Sequence, residues 1–451
     1  MKMPLRPPAY PSLLTELFAQ PDGAERFVEL MRQIGPAPGG KYRHWDTFRH
    51  SPPLEGYTSK EQWLAVKIAR SSLYRPIPLV DAAGHRFQYA IPTPALEMLH
   101  RIDRTAGGTI QGSDQVTNPS TRDTYLFKSI VEEAITSSQL EGASTTRKAA
   151  KAMIQEGRAP RDRGERMVLN NYQGMLYVRE FTQRPLTPEL VIELQRRLTE
   201  ETLDDPEAAG RLRTNADDIV IEDETGARLH TPPPAEQLAD RLQTMCDFAN
   251  GVTDTDFMPP AVRAIILHFW LGYDHPFVDG NGRTARALFY WAMARNGYWL
   301  CEYVSISRIL KKARGQYARS FLYTETDDND LTYFLLYQMR VLLRAIDDLH
   351  EFLIRKASEL RETDELVRGA SLANSALNPR QLTLIHHALE HPMSRYTVES
   401  HRISHGTSYE TARSDLLGLA ALGLLDKKKT GKAYLFTPAA DLRSSLSARS
   451  S

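Results

Sequence analysis

Apolar residues recur at helical spacing through much of the chain. Several segments place apolar side chains three or four positions apart, which puts them on one face of an amphipathic helix. These segments are 125–139, 148–155, 165–181, 235–250, 261–273, 284–296 and 331–360. The pattern therefore predicts a mainly α fold with a helical domain in the middle of the chain.

One segment interrupts the helical pattern. Ile219, Val220 and Ile221 stand on one side of the turn residues 222–226, and residues 227–230 stand on the other side, before a run of three prolines. Two short apolar runs around a turn are typical of a β-hairpin. A small hairpin is therefore expected within the helical domain.

The pattern changes again after residue 378. A helical run over 380–391 is followed by a connector, a second helical run over 408–425 that is rich in small residues, and a lysine-rich turn between short apolar runs. Two helices followed by a basic two-stranded wing are typical of a winged helix-turn-helix. By contrast, residues 1–115 mix prolines and isolated aromatics, with one helix-start signal at 58–62.

Composition excludes several classes of protein. Basic and acidic residues both number 56, so no overall charge indicates a strongly basic nucleic-acid binder. The two cysteines, Cys246 and Cys301, are far apart and predict two small buried side chains, not a disulfide framework or a thiolate metal site. Neither a signal peptide nor a membrane span is indicated, which predicts a cytoplasmic protein without membrane contact.

The segment 275–286, HPFVDGNGRTAR, carries the chemistry. Gly280, Asn281 and Gly282 precede a predicted helix, so the unpaired N–H groups of its first turn can converge on an anion that the glycines allow to approach closely. Arg283 and Arg286 are three positions apart and therefore share a face, where they can bind successive phosphates. This arrangement suits a polyphosphate.

Two further residues of the segment suit phosphate chemistry. Asp279 offers a hard oxygen ligand for Mg²⁺, and His275 has a side chain that can act as a general base near neutral pH. Each residue alone has a plainer explanation, a core histidine or a helix cap, but their occurrence together favours a catalytic site.

This segment resembles the HxFx(D/E)GNGRxxR signature of the Fic family, and every specified position matches. The resemblance implies a protein adenylyltransferase on an all-helical core, which transfers AMP from Mg·ATP, its co-substrate, to a Tyr, Ser or Thr hydroxyl of a protein. It implies His275 as base, Asp279 as Mg²⁺ ligand and Arg283 and Arg286 as phosphate clamps. Gly280 and Gly282 would form the anion hole, with Asn281 as a polar support for the phosphates.

A second motif precedes this segment. Ser137 and Glu141 are one helical turn apart and Gly142 is a natural helix end, a pattern that resembles the family's inhibitory (S/T)xxxE(G/N) motif. The resemblance implies that Glu141 pairs with Arg286 and so occupies the partner of the γ-phosphate. A reverse activity, the removal of AMP from modified targets, also stays open.

The resemblance further implies a binding site for the target. Residues 210–213 and the hairpin with Ile219, Val220 and Ile221 resemble the family's flap, which binds an extended target segment by strand addition. A purely structural hairpin is the alternative. Tyr317 and residues 324–334 occupy the place where relatives close over the adenine, but no adenine contact is assigned to a residue.

These predictions divide the chain into four parts. They are an N-terminal extension over 1–115, a Fic domain over 116–345 with an inhibitory helix over about 124–141, a connecting helix over 346–376 and a winged-helix-like domain over 377–451. The expected partners are ATP, a target protein and the protein itself, through auto-modification or a homodimer. Lys427, Lys428, Lys429 and Lys432 suit DNA phosphates, although winged helices also serve as protein contacts.

Two alternatives to AMP transfer stay open. The motif contacts phosphates and metal and not the base, so UMP or a phosphocholine moiety are alternative transferred groups. The other alternative is a DNA-binding regulator whose Fic core senses nucleotide, and the intact catalytic positions weigh against it.

Overall fold

The computed structural model describes residues 1–107, 119–223, 225–373, 377–430 and 433–450. Helices dominate this part of the chain, and its strands pair only as small antiparallel hairpins, so the predicted mainly α fold is confirmed. The chain divides into two compact units, Met1–Leu349 and His350–Ser451.

The first unit contains most of the helices. They are Tyr10–Phe18, Gly23–Gln33, Trp45–Phe48, Ser59–Ser71, Thr93–Ile102, Pro119–Leu140, Arg147–Glu156, Arg163–Glu180, Pro188–Thr199, Leu238–Ala249, Pro260–Asp274, Asn281–Arg295, Ile306–Lys312 and Arg314–Thr326. A long helix, Thr332–Ala373, begins in this unit. Short 3₁₀ turns cover Pro38–Gly40, Pro206–Ala208, Asn215–Asp217, Ala235–Gln237 and Trp299–Tyr303, and a π turn covers Asp103–Gly107. The helices predicted for the middle of the chain are thus confirmed.

Helix Pro260–Asp274 forms the centre of the core. Its sequence is apolar on all sides, and nearly all of its residues are buried, as expected of a helix surrounded by others. Helix Asn281–Arg295, which we call the motif helix, packs against it and is also buried along most of its length. The turn between these two helices therefore lies on a rigid base.

The N-terminal residues form more regular structure than the sequence pattern indicated. Helix Ser59–Ser71 begins at the predicted signal, where Thr58 and Glu61 make a capping box. Strands Arg75–Val80 and Arg86–Tyr89 form a hairpin that was not predicted. The first strand contains two prolines, which argue against a strand because proline cannot donate a ladder hydrogen bond. In the structure, the register of the pair shifts beside these prolines.

The predicted central hairpin is present and short. Strand Ile221–Glu222 pairs antiparallel with Arg228–His230, and Ile221 lies opposite His230. Ile219 and Val220 precede the first strand.

The second unit contains three helices, Pro379–Glu390, Val398–His405 and Tyr409–Ala421, before the paired strands Leu425–Thr430 and Ala433–Pro438 and a last helix, Leu442–Ser450. Helix Val398–His405 takes the place of the expected connector. Its eight largely polar residues give little apolar periodicity, although Thr397 caps it. Lys427, Lys428 and Lys429 are exposed on the first strand, whereas Lys432 lies outside the described residues.

Cys246 and Cys301 are buried free thiols, as predicted. Within the described ranges, no helix combines the length and apolar character that a bilayer crossing requires.

Candidate active site

His275 ends helix Pro260–Asp274 in a left-handed conformation, with φ of 45°. Such a φ is unfavourable for a residue with a side chain, so neighbouring groups must hold it. Arg213 does so. Its Nε donates to the carbonyl oxygen of His275 at 2.8 Å, and its backbone N–H donates to that of Pro276 at 2.9 Å. From the sequence, Arg213 was assigned only to the segment that precedes the hairpin.

Asn281 closes the loop that follows His275. Its side-chain oxygen accepts from the N–H of Phe277 at 3.0 Å, and its amide nitrogen donates to the carbonyl of Phe277 at 2.8 Å. Asn281 is buried. Both polar groups of this side chain are thus used to hold the loop.

The motif helix begins where two glycines permit close approach. Gly280 has φ of 83°, and a Cβ there would lie 2.6 Å from Thr199. A Cβ on Gly282 would lie 2.2 Å from a carboxylate oxygen of Glu141. Both distances are far shorter than a carbon contact allows. The helix N-terminus therefore has room for an anion only because side chains are absent, and the Glu141 carboxylate lies there.

Asp279 stands beside this helix terminus with its side chain 42 % exposed. One carboxylate oxygen lies 3.2 Å from Nη2 of Arg283. Its backbone carbonyl accepts from Nε2 of the buried Gln195 at 2.9 Å, and Oε1 of Gln195 accepts from the N–H of Gly210 at 2.7 Å. Gln195, which the sequence analysis missed, thus positions the acidic residue.

Asp279 suits a metal ion that also binds the substrate better than a metal site built from protein ligands alone. In the part of the chain that the structure describes, no group of three or more His, Cys, Asp or Glu side chains could hold a metal ion. A partly exposed carboxylate beside an anion site suits Mg²⁺, which prefers hard oxygens and takes many of its ligands from water and substrate phosphates.

The two arginines of the motif are buried and differ in their partners. Nη1 of Arg283 donates to the carbonyl of Leu198 at 2.7 Å, and burial lowers the pKa of this guanidinium. Arg286 donates from Nε to Oγ of Ser137 at 2.9 Å and from Nη2 to Oε1 of Glu141 at 2.8 Å. Burial acts to lower the pKa of Arg286, but Glu141, together with Tyr317 and Glu133, outweighs this and the pKa is raised.

Helix Pro119–Leu140, which we call the upstream helix, meets the motif helix in a regular register. Residues four apart on one helix contact residues four apart on the other. Glu133 accepts from the hydroxyl of Tyr290 at 3.0 Å, Ser137 accepts from Arg286, and Glu141, just beyond the helix end, lies against Gly282. Because each step is about one helical turn, the contact at Glu133 sets the position of Glu141 two turns away.

Glu133 anchors this register in the core. It is 2 % exposed. Its carboxylate accepts from Oγ of Ser305 at 2.7 Å, from the N–H of Ser307 at 3.2 Å and from the hydroxyl of Ser307. A buried carboxylate with this many donors is well satisfied, and loss of the charge would leave the donors unpaired.

The end of the upstream helix is also held from outside the motif helix. Oγ of Ser138 donates to the carbonyl of Met167 at 3.0 Å. The side chain of Gln139 accepts from Lys311 at 2.6 Å and donates to the carbonyl of Thr145 at 2.8 Å. Gly142 follows with φ of 94° and ends the helical run. Glu141 therefore projects from a fixed base.

A cavity of about 210 Å³ opens beside these residues. It is lined by Glu141, Ile221, Leu229, His230, Gly272, Tyr273, His275, Gly282, Arg286, Tyr317, Ala318, Phe321, Leu322 and Glu325. Of the predicted site residues, five thus line one cavity, namely His275, Gly282, Arg286, Glu141 and the flap residue Ile221. Burial lowers the pKa of His275 to about 4, so its ring is neutral at neutral pH.

The hairpin contributes one wall of this cavity through Ile221, Leu229 and His230. His230 was missed by the sequence analysis, since no motif includes it. Its Nδ1 lies 2.7 Å from a carboxylate oxygen of Glu325, and its Nε2 lies 2.8 Å from the carbonyl oxygen of Tyr273. Both ring nitrogens therefore face acceptors. Burial opposes the charged form, but these acceptors prevail and raise the pKa of His230.

A second wall of the cavity is largely apolar. Helix Arg314–Thr326, which we call the wall helix, presents Tyr317, Ala318, Phe321 and Leu322 to the cavity. Beyond it, most of the segment expected near the adenine is engaged elsewhere. Asp327, for example, accepts from Lys67 at 2.7 Å in the core. The wall helix thus contributes an apolar surface to the cavity that His275 and Arg286 also line.

Comparison with known proteins identifies the same region. The Fic/DOC family matches residues 185–293. Protein adenylyltransferase fic-1 of Caenorhabditis briggsae is 36 % identical over 108 residues, which are 24 % of this chain and 19 % of that protein. Protein adenylyltransferase Fic of Nematostella vectensis is 33 % identical over 113 residues, 25 % of this chain and 24 % of that protein. The matches thus span a quarter or less of these relatives.

A solved structure extends the likeness in fold. A Fic family protein from Desulfovibrio desulfuricans G20 aligns with a TM-score of 0.51 at 16 % identity, over 76 % of this chain and 94 % of that chain. The match over residues 185–293 includes the complete HPFVDGNGRTAR segment at the helix terminus, so this part of the chain is a Fic domain.

Proposed function

We propose that this protein is an adenylyltransferase that transfers AMP from Mg·ATP to a Tyr, Ser or Thr hydroxyl of a protein and that Glu141 restrains it. One observation carries the proposal, the meeting of His275, Gly282, Arg286 and Glu141 around one cavity. The names of the relatives, protein adenylyltransferases, support AMP as the transferred group. A cytoplasmic location is part of the proposal, because Mg·ATP is abundant in the cytoplasm.

In the proposed reaction, the start of the motif helix binds the phosphates. The N–H groups of Gly280 to Gly282 and the helix dipole stabilise their charge, and Arg283 and Arg286 contribute guanidinium groups. Asp279 would hold Mg²⁺, which neutralises phosphate charge when bound. Asn281 and Arg213 keep the loop in the conformation that this binding needs.

His275 is the proposed base. Its Nδ1 lies 3.3 Å from the carbonyl oxygen of Gly272, an arrangement that favours the proton on Nδ1 and leaves Nε2 free to accept. Nε2 takes the proton of the target hydroxyl while the hydroxyl oxygen attacks the α-phosphorus of ATP. The bond from this phosphorus to the pyrophosphate oxygen breaks, and pyrophosphate leaves with the electron pair. The lowered pKa of His275 keeps the ring neutral for this step.

Glu141 is the proposed brake on this reaction. Its carboxylate lies at Gly282 and binds Arg286, so the γ-phosphate of a productively bound ATP would meet a negative charge and an occupied partner. A charge-assisted hydrogen bond in such a site contributes about 1.5 to 3 kcal/mol. In the reverse direction, the same carboxylate would orient water for removal of AMP.

The hairpin is the proposed docking site for the target. An extended segment would pair alongside Ile219, Val220 and Ile221, and its hydroxyl residue would reach His275 across the cavity that Ile221 also lines. A second copy of the chain is one such target, so auto-modification is a convenient measure of activity.

The C-terminal unit has a separate proposed role. Its three helices and hairpin follow one another in the order of a winged helix, and the exposed lysines Lys427, Lys428 and Lys429 form a basic edge. We propose that this edge contacts DNA phosphates.

The transfer itself is tested by labelling. The purified protein is incubated with Mg²⁺ and ATP labelled on the α-phosphate, and adduct masses are compared among ATP, UTP, CTP and CDP-choline. Wild type should give an AMP adduct, and His275→Ala should lose it while ATP binding stays largely intact. Equal labelling in both would contradict the assignment of His275, and an adduct from another donor alone would identify another transferred group.

A further inference from the structure

A second cavity, of about 280 Å³, lies on the other side of the wall helix. Its lining includes Arg43, His44, Arg319, Tyr333, Tyr337 and Arg340. The contributions of the wall helix, Gln316, Arg319, Ser320 and Tyr323, are spaced three or four apart. They occupy the face opposite to Tyr317 and Phe321, which line the catalytic cavity. The two cavities are therefore distinct and share one helix.

The lining of the second cavity is positively charged. Arg43, Arg319 and Arg340 come from three separate elements, and none of the described lining residues is acidic. The catalytic cavity differs, since Glu141 and Glu325 line it beside its arginine. Arginines that line one cavity without a carboxylate suit an anion, and their planar forks match phosphate oxygens. Nη1 of Arg43 also donates to Oγ of Ser51 at 2.9 Å, which leaves its other guanidinium nitrogens for a ligand.

Tyr337 supplies an independent indication of a ligand. This side chain lines the cavity and is only 9 % exposed, yet its buried hydroxyl has no hydrogen-bond partner within the described ranges. Buried polar atoms in native proteins almost always have a partner. An oxygen of a bound anion would accept from this hydroxyl.

Aromatic rings surround the same space. His44 and Tyr323 stack with ring centroids 4.4 Å apart and an interplanar angle of 9°, and Tyr333 packs edge-on against both rings. Burial lowers the pKa of His44 to about 4, so it adds a neutral flat surface and not a charge at neutral pH. Such walls favour a ligand that carries a flat organic group beside its anion.

We propose that this cavity binds a small organic phosphate, with the phosphate among Arg43, Arg319 and Arg340 and the hydroxyl of Tyr337 as a further donor. The site is separate from the catalytic cavity, and the proposal does not depend on the transfer reaction. Because the wall helix borders both cavities, a ligand here contacts the element that also forms the apolar wall beside His275.

The test measures binding to the full chain by calorimetry with three probes, inorganic phosphate, AMP and adenosine. Arg319→Ala combined with Arg340→Ala should weaken AMP binding at this site roughly tenfold or more, because each removes a charged contact. The matched control is Arg344→Ala, one turn along the same helix from Arg340, where the guanidinium contacts Asp348 instead. This control should bind AMP as wild type does.

Tyr337→Phe separates a ligand contact from a structural role. Since no group in the described ranges hydrogen-bonds this hydroxyl, its removal should leave the melting temperature unchanged or raise it, while AMP binding weakens. Three outcomes would overturn the proposal. They are AMP and phosphate binding that is the same in the double variant and wild type, adenosine binding as tight as AMP binding, and full AMP affinity in Tyr337→Phe.

Discussion

Glu141 accepts a hydrogen bond from Arg286 at 2.8 Å while its carboxylate lies in the space that Gly282 leaves open. A residue far upstream thus reaches the helix terminus where the proposed reaction binds phosphate. The guanidinium of Arg286 is 1 % exposed and also donates to Ser137, so it has little freedom to leave the carboxylate. The restraint is therefore expected to act by occupation of the anion site.

The protonation of His275 provides a first prediction. Because burial lowers its pKa to about 4, His275 should stay neutral from pH 7 down to about 5. In the free protein, the C2 proton of its ring, assigned by comparison with His275→Ala, should titrate in NMR spectra near pH 4. Titration near the ordinary histidine value of about 6.5 would contradict the proposed environment.

Glu133 should position Glu141 through the register of the two helices. Glu133→Gln places an amide among the donors of Tyr290, Ser305 and Ser307, so the free energy of unfolding should fall by about 2 to 3 kcal/mol. The loosened register should also raise AMP incorporation above wild type. Glu132→Ala is the control, since Glu132 pairs only with the exposed Arg147 among the described residues. A loss of stability without a gain of activity would show that Glu133 does not position Glu141.

The contact between His230 and Glu325 should depend on pH. The folded-state pKa of His230 is raised, so its charged contact contributes fully below the ordinary pKa of about 6.5 and is lost as pH rises through the folded value. Glu325→Gln should therefore reduce the free energy of unfolding by roughly 1 to 2 kcal/mol more at pH 6 than at pH 9. Urea denaturation at both pH values measures this. An equal effect at both pH values would contradict a contact whose charge is lost between them.

The basic edge of the C-terminal unit predicts salt-sensitive DNA binding by the full chain. Replacing Lys427, Lys428 and Lys429 by Ala should weaken retention of duplex DNA and reduce its salt dependence by about one unit of slope per lysine. Alanine at the exposed Lys148, Lys151 and Lys312 removes the same charge elsewhere and should have no such effect. If the full chain shows no salt-sensitive binding to any duplex, a protein contact becomes the better account of this unit.

The sequence predicted most of the helical core because its signals are local. Apolar periodicity marks helices such as Pro260–Asp274, and the glycines and arginines of the motif are adjacent in the chain. Helix Val398–His405 was not predicted, because its short polar sequence has little periodicity. The strand Arg75–Val80 was not predicted either, because its prolines argue against a sheet. Local patterns fail where a segment owes its conformation to neighbours.

The residues that support the site could not be predicted for a similar reason. Arg213 holds the backbone at His275 and Gln195 holds that at Asp279, but both lie more than 60 positions upstream. His230 meets Glu325 only because the hairpin folds over the wall helix. A single sequence carries no signal for such pairs, since nothing in the local pattern of either partner refers to the other.

A double variant at Glu141 and Arg286 distinguishes two explanations for a gain of activity in Glu141→Gly. The gain comes either from the release of Arg286 or from a general loosening of the site. If Glu141→Gly acts by freeing Arg286 for the γ-phosphate, then Arg286→Ala added to Glu141→Gly should cancel the gain. Because the double variant also lacks the Glu141 carboxylate, high activity in it would mean that the γ-phosphate of ATP does not need the Arg286 guanidinium. Glu132→Ala again serves as the control for loss of an acidic side chain on the upstream helix.

The most direct measurement is the initial rate of AMP incorporation by Glu141→Gly relative to wild type, at equal protein concentration and with folding checked by circular dichroism. Loss of a charge-assisted contact of about 1.5 to 3 kcal/mol predicts a rate increase of roughly ten- to a hundredfold. Any removal of AMP from modified protein should fall in the same variant. A folded Glu141→Gly protein that incorporates AMP at the wild-type rate or more slowly would contradict the proposal that Glu141 holds the enzyme off.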